Sequence, residues 1–193
     1  MLIAPMLNFL LAPAGTLILL MVTQYFNKGV WELSLLDSIM GVGIVAGGLL
    51  LGIWGGFKSK IVTSLCGVVG LGLGVFIFGI VPANMFWAAV VAMGVLGFMS
   101  PMANGPLQAI MQSRVPAEMQ GRVMGVTSSI CMAMMPLSML IAAPVAEFLG
   151  LRVWYWLGGA LVMLLGLAAF FVPSIRTLEE GPSQISAAVV TVE

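Results

Sequence analysis

IVTSLCGVVGLGLGVFIFGIVPANMFWAAVVAMGVLGFMSPMANGPLQAIMQS, residues 61–113, contains no Asp, Glu, Lys or Arg. An α-helix rises about 1.5 Å per residue and needs about 20 apolar residues to cross roughly 30 Å of hydrocarbon. The stretch therefore predicts two membrane crossings joined by a turn at Val81-Pro82-Ala83-Asn84.

The rest of the chain has the same character. Of its 193 residues 61% are hydrophobic and 7% charged, and the mean hydropathy is +1.16. Cutting at charges and turn residues leaves six apolar segments of spanning length: 2–26, 36–57, 61–81, 85–112, 123–148 and 153–172. None has the two-residue alternation of a barrel strand, so the expected fold is an all-α membrane protein with six transmembrane helices. The bilayer is then its first partner. The fourth and fifth segments exceed a minimal span, so their ends should protrude. Residues 1–173 are read as one bundle, and the polar stretch 174–193 as a flexible cytoplasmic tail. No basic residue precedes the first apolar stretch, which is longer than a signal-peptide core and reads as a mature span.

Seven Lys/Arg balance seven Asp/Glu, and there is no His. No basic patch is available to neutralise nucleic-acid phosphates, and no ligand set for a transition metal or other cofactor stands out. Cys66 and Cys131 lie in apolar segments and read as small packing residues. Nucleophilic catalysis needs a base and an orienting group beside the nucleophile. The sequence offers no such set, and an enzyme is not expected.

Cytoplasmic connections retain Lys and Arg. With alternating helices, Lys58, Lys60, Arg114, Arg122 and Arg176 share one side, and Lys28 and Arg152 the other. Both termini are therefore expected in the cytoplasm of a multi-pass cell-membrane protein.

Polar residues inside the spans are the candidates for function. Asn104, Gln108 and Gln112 recur at four-residue steps, with Ser100 a turn earlier, and form one stripe on the fourth helix. An amide in hydrocarbon must be paired, so the stripe should meet either a neighbouring helix or a substrate cavity. Gln112, beside Arg114, reads as interfacial. On the first helix Asn8, Thr16 and Thr23 fall roughly on one side, and Asn8 and Thr16 are possible partners across a cavity. Pro5, Asn8 and Pro13 in the first helix echo Pro101, Asn104 and Pro106 in the fourth, which suggests a three-plus-three repeat with broken helices in matching places. Asp37 and Glu147 are expected as rim carboxylates, with Asp37 placed to cap the second helix.

Small residues four apart allow close helix packing in lipid. Gly43/Gly47, Gly48/Gly52 and Gly70/Gly74 have that spacing. They fit static packing or, alternatively, a sliding surface.

The run Gly48-Leu-Leu-Leu-Gly52-Ile-Trp-Gly55-Gly56-Phe-Lys58-Ser-Lys60 resembles the motif between the second and third helices of each half of major facilitator superfamily transporters, in its later copy. The Asp usual in that loop is absent, and Trp54 and Gly55 stand near its place. The connection Arg114-Val-Pro116-Ala-Glu118-Met-Gln120-Gly121-Arg122-Val-Met-Gly125 is similar to the corresponding loop of the superfamily's macrolide-efflux branch. The resemblance covers nearly the whole chain and aligns it with the last six helices of a twelve-helix carrier, one half of that fold. It implies secondary-active efflux of an amphipathic small molecule, such as a macrolide-like drug, by alternating access. It also implies a gate at Gly48, Gly52, Gly55, Gly56, Lys58, Lys60, Arg114, Glu118, Gly121 and Arg122, and pairing with a missing N-terminal six-helix half or a second copy; Arg114, Glu118 and Arg122 fit a plain cytoplasmic anchor equally well, and the polar spacing itself makes Asn8, Thr16, Asn104 and Gln108 the expected substrate contacts. A stand-alone six-helix protein with a structural or partner-binding role, or a non-functional fragment, is the alternative.

Overall fold

Helix boundaries follow from which side chains can satisfy the unpaired backbone groups at helix ends. The structure is a computed structural model that describes residues 3–57 and 59–171. Lys58, Arg176 and the 174–193 tail lie outside the described residues. Helix α1 (Ile3–Leu20) runs into one π-helical turn, Met21–Tyr25. There Phe26 N donates to Met21 O, five residues back, at 3.0 Å, and Lys28 N donates to Val22 O at 3.0 Å. Helix α2 (Val30–Trp54) begins after Gly29, whose N–H donates to Glu32 Oε2 at 3.0 Å. Glu32 thus supplies the acceptor expected from Asp37, which lies inside the helix instead.

Helix α3 (Lys60–Ile80) is capped by Ser59 Oγ, which accepts from Val62 N at 3.3 Å. Helices α4 (Phe86–Arg114) and α5 (Ala117–Leu149) are the two longest. The α5 helix starts directly after Pro116, ahead of the expected start at Val123, because a proline at a helix entrance forfeits no helical hydrogen bond. Gly150 alone, at φ 96°, separates α5 from α6 (Leu151–Phe171). All six helices are long and apolar enough to span a membrane.

Helix α1 packs on α5 and α6, α4 packs on α2 and α3, and α3 packs on α6. Exchanging α1 with α4, α2 with α5 and α3 with α6 maps these pairs onto one another, as a three-plus-three repeat does, while α5 also packs on α6 without a contact of that extent between α2 and α3. Glycines hold the central contacts. In the α2–α4 seam a Cβ on Gly43 would stand 2.6 Å from Gly94 O, and one on Gly47 would run into the Phe98 carbonyl. Across α3–α6, a Cβ on Gly72 would stand 2.7 Å from Met163 N, and one on Gly159 2.8 Å from Gly72 O. Gly70 and Gly74 pack against Met99 and Leu96 of α4. Gly48 and Gly52 do not take part: no atom lies within 4 Å of where their Cβ would be, apart from their own helix.

The largest buried cluster includes Met21, Val22, Leu36 and Phe78, all essentially inaccessible. Phe26 meets Phe78 and Phe86 edge-on, with centroids 6.1 and 5.6 Å apart, and Phe78 lies 5.1 Å from Tyr155. These tilted contacts match the geometry that aromatic quadrupoles favour. In contrast, α2 and α5 bury little, and Ile53, Met132 and Phe148 are more than three-quarters exposed.

Candidate functional site

Three prolines interrupt the two helices that carry the candidate polar residues. Pro13 lies inside α1, and Pro101 and Pro106 lie inside α4. Each lacks an N–H and frees the carbonyl four residues earlier from the helical ladder. Side chains brace both interrupted segments. Thr16 Oγ1 donates to Pro13 O at 3.1 Å, Tyr155 Oη from α6 donates to Ala14 O at 2.7 Å, and Ser64 Oγ from α3 donates to Ala103 O at 2.6 Å. The last two bonds are buried and correspond under the exchange of repeats: each ties a proline-containing helix to the α3–α6 pair.

Asn8, Thr16, Asn104 and Gln108 are all exposed. Thr16 lies at the α1–α5 seam, with Oγ1 3.5 Å from Met139 Sδ. Asn104 Nδ2 donates to Ser100 O of its own helix at 3.1 Å, so this bond is not one between helices. Gln108 and Gln112 are exposed on the same face of α4. Thr23 is exposed too, and its hydroxyl donates to Leu19 O at 2.7 Å. Cys66 and Cys131 are free thiols, half-buried on α3 and α5.

The α2–α3 connection is a tight structure built on Thr63. Gly55 at φ 73° ends α2, with its N–H on Leu51 O at 2.8 Å, and Gly56 follows at φ 80°. Two successive left-handed residues favour glycine, since any Cβ would be strained. A Cβ on Gly56 would also stand 2.8 Å from Thr63 Oγ1, which accepts from Phe57 N at 2.9 Å and donates to Ser59 O at 3.2 Å. Lys60 is exposed at the start of α3. In the α4–α5 connection Glu118, Gly121 and Arg122 are exposed, while Gln120 Nε2 donates to Gln112 O at 2.9 Å and Val115 O at 3.0 Å, closing the end of α4. Arg114 is the last residue of α4.

The opposite end carries a latch that spacing alone did not reveal. Arg152 donates from Nε to Gly79 O at 2.9 Å and from Nη2 to Ile80 O at 2.6 Å. Its guanidinium lies 4.9 Å from the ring centroid of Tyr25, whose hydroxyl donates to Val81 O at 3.2 Å. Three consecutive carbonyls at the end of α3 are thus satisfied from α6 and the π turn. A cation there also complements the negative end of the helix dipole.

Six spanning helices, the paired repeat and two short loops at one end carry a specific likeness. A sequence model described as Major Facilitator Superfamily matches residues 1–191. The chain belongs to the major facilitator superfamily. Among its relatives is macrolide efflux protein A of Streptococcus pyogenes, 27% identical over 179 residues, which cover 93% of this chain and 44% of that protein. Macrolide efflux protein A of Enterococcus faecalis is 28% identical over 139 residues, covering 72% of this chain and 43% of that protein. Multidrug efflux pump Tap of Mycobacterium tuberculosis (strain ATCC 25618 / H37Rv) is 31% identical over 146 residues, covering 72% and 34%. The chain thus spans less than half the length of the curated relatives it matches. As a superfamily member with six spanning helices it is a multi-pass membrane protein of a transporter family, not an enzyme, and it represents a half-fold of that superfamily.

Proposed function

We infer that this chain is the C-terminal six-helix half of a secondary-active exporter that moves an amphipathic small molecule, of macrolide-like chemistry, by alternating access. The observation that carries this reading is the exposure of Asn8, Thr16, Asn104 and Gln108 on the two proline-interrupted helices. Polar side chains at these depths are costly against lipid and are tolerated where they line a cavity. A second six-helix bundle closing over α1 and α4 creates that cavity, and exposed Met132 and Met135 on α5 add adaptable apolar contact. The printed names of the streptococcal and mycobacterial relatives, macrolide and multidrug efflux, support the substrate class. Both termini lie in the cytoplasm, and residues 1–173 form the transmembrane unit with a cytoplasmic tail after it. The glycine-ended α2–α3 loop and the α4–α5 loop, with Gly48, Gly52, Gly55, Gly56, Lys58, Lys60, Arg114, Glu118, Gly121 and Arg122, gate the cytoplasmic side against the other half.

Co-expression of this chain with a matching N-terminal half in a macrolide-sensitive host tests the reading. The pair should lower accumulation of a labelled macrolide, and Asn104→Leu and Gln108→Leu should each restore accumulation by several fold. Efflux that both variants leave intact would remove α4 from the binding face. Equal accumulation with and without the chain would remove the exporter reading and favour a structural role.

A further inference from the structure

A cavity of about 830 Å³ opens at the Arg152 end of the bundle, among the ends of the π turn, α3 and α5 and the start of α6. Its size lies within the range of small-molecule sites, about 300–1,000 Å³. Phe76, Ile80, Leu149 and Trp156 give it apolar walls, Gln24 contributes an amide, and Arg152 is the only charged side chain among its lining residues.

Two of the five N–H donors of Arg152 are spent on Gly79 O and Ile80 O. That leaves three on a half-buried guanidinium held in place by two backbone bonds and the Tyr25 ring. The level of the cavity matters as well. Trp31, Trp87 and Trp156 stand near the starts of α2, α4 and α6 at this same end, and all three are exposed. Tryptophan belts of this kind mark the headgroup region of a bilayer. A fixed cation at headgroup depth above an apolar recess complements a molecule with a phosphate at one end and an acyl chain at the other.

We propose that this cavity binds one membrane phospholipid, with its phosphate on Arg152 and the first part of an acyl chain against Phe76, Ile80 and Leu149. Guanidinium forks match phosphate as well as carboxylate geometry, and phosphate is the anion that membrane phospholipids place at headgroup depth. A cationic amphiphile would meet like charge here.

Native mass spectrometry of the purified 193-residue chain, titrated with phosphatidylglycerol, with diacylglycerol of the same chains and with glycerol 3-phosphate, tests the proposal. Phosphatidylglycerol should occupy one site at a concentration at least tenfold below diacylglycerol, and millimolar glycerol 3-phosphate should not displace it. Arg152→Gln should lose at least fivefold in occupancy. Ile80→Trp keeps the guanidinium and its backbone partners while filling the apolar recess, and it should lose as much. Equal binding of phosphatidylglycerol and diacylglycerol, or wild-type occupancy in Ile80→Trp, would overturn the site and leave only annular lipid. Displacement by glycerol 3-phosphate would make the ligand a free phosphate ester and overturn the lipid reading.

Discussion

Tyr155 Oη on α6 donates a buried 2.7 Å hydrogen bond to Ala14 O on α1, one residue past Pro13. Its counterpart in the other repeat is Ser64 on α3, bonded to Ala103 O of α4 between Pro101 and Pro106. Hydrogen bonds between membrane helices contribute about 0.6 kcal/mol on average and at most about 1.7. Tyr155→Phe and Ser64→Ala should each lower the stability of the bundle within that range in reversible SDS denaturation. Because the two bonds tie different helix pairs, the double variant should lose the sum. A much larger combined loss would mean the repeats are mechanically coupled.

Glycines at identical spacing should differ sharply. A side chain on Gly47 runs into the Phe98 carbonyl, whereas one on Gly48 meets nothing outside its own helix. Gly47→Leu should destabilise the bundle by about 1–3 kcal/mol or more, the usual cost of overpacking. Gly48→Leu should leave the six-helix unit within about 0.5 kcal/mol of wild type, as surface changes do. Thermal unfolding in detergent separates the two, and equal losses would contradict the observed packing.

Thr63 organises the α2–α3 loop by accepting from Phe57 N and donating to Ser59 O. Thr63→Val keeps the shape and removes both bonds. Tryptic cleavage at Lys58 and Lys60 should accelerate several fold in the variant, while far-UV circular dichroism stays unchanged. Unaltered cleavage would show that the glycines alone hold the loop.

Arg152 closes two carbonyls of α3 in a geometry a lysine cannot reproduce. Hydrogen bonds to charged groups contribute about 1.5–3 kcal/mol. Arg152→Gln should cost an amount in this range, and Arg152→Lys should recover less than half of it. Full rescue by lysine would assign the effect to charge alone.

Alternating helices place Lys60 and Arg122 at one end and Lys28 and Asn84 at the other. With Cys66 and Cys131 replaced by Ala, single cysteines at Lys60 and Arg122 should share one pattern of labelling by a membrane-impermeant maleimide in intact cells. Cysteines at Lys28 and Asn84 should show the opposite pattern. Agreement between Lys60 and Lys28 would break the six-span topology.

The spans were readable because hydrocarbon imposes one requirement on every residue it touches, and the absence of charge from 61 to 113 expresses it directly. The proline echo between α1 and α4 was legible for the same reason, since a helix breaker is tolerated only in particular surroundings. Boundaries were less so. The start of α2 shifted from Leu36 to Val30 because a single carboxylate, Glu32, satisfies the first turn, and the start of α5 moved back to Pro116. Glycine spacing told which positions can approach a neighbour but not which way they face, so Gly43/Gly47 and Gly48/Gly52 looked alike. Arg152 read only as a charge on a loop, because its partners at Gly79 and Ile80 are 73 and 72 residues away. Ser64 and Tyr155 were missed for a similar reason: their acceptors are backbone carbonyls, which carry no sequence signal.

The wider turn at Met21–Tyr25 has a consequence for how α1 tolerates change. It accommodates a surplus residue, so everything beyond it is rotated by about 100° from where an unbroken rod would put it. Loss of one residue such as Thr23 would restore ordinary winding and keep Tyr25 and Phe26 facing Val81, Phe78 and Phe86, whereas a further inserted residue would swing them away. In this short stretch the number of residues matters more than their identity, and a one-residue insertion should be far more damaging than a one-residue deletion.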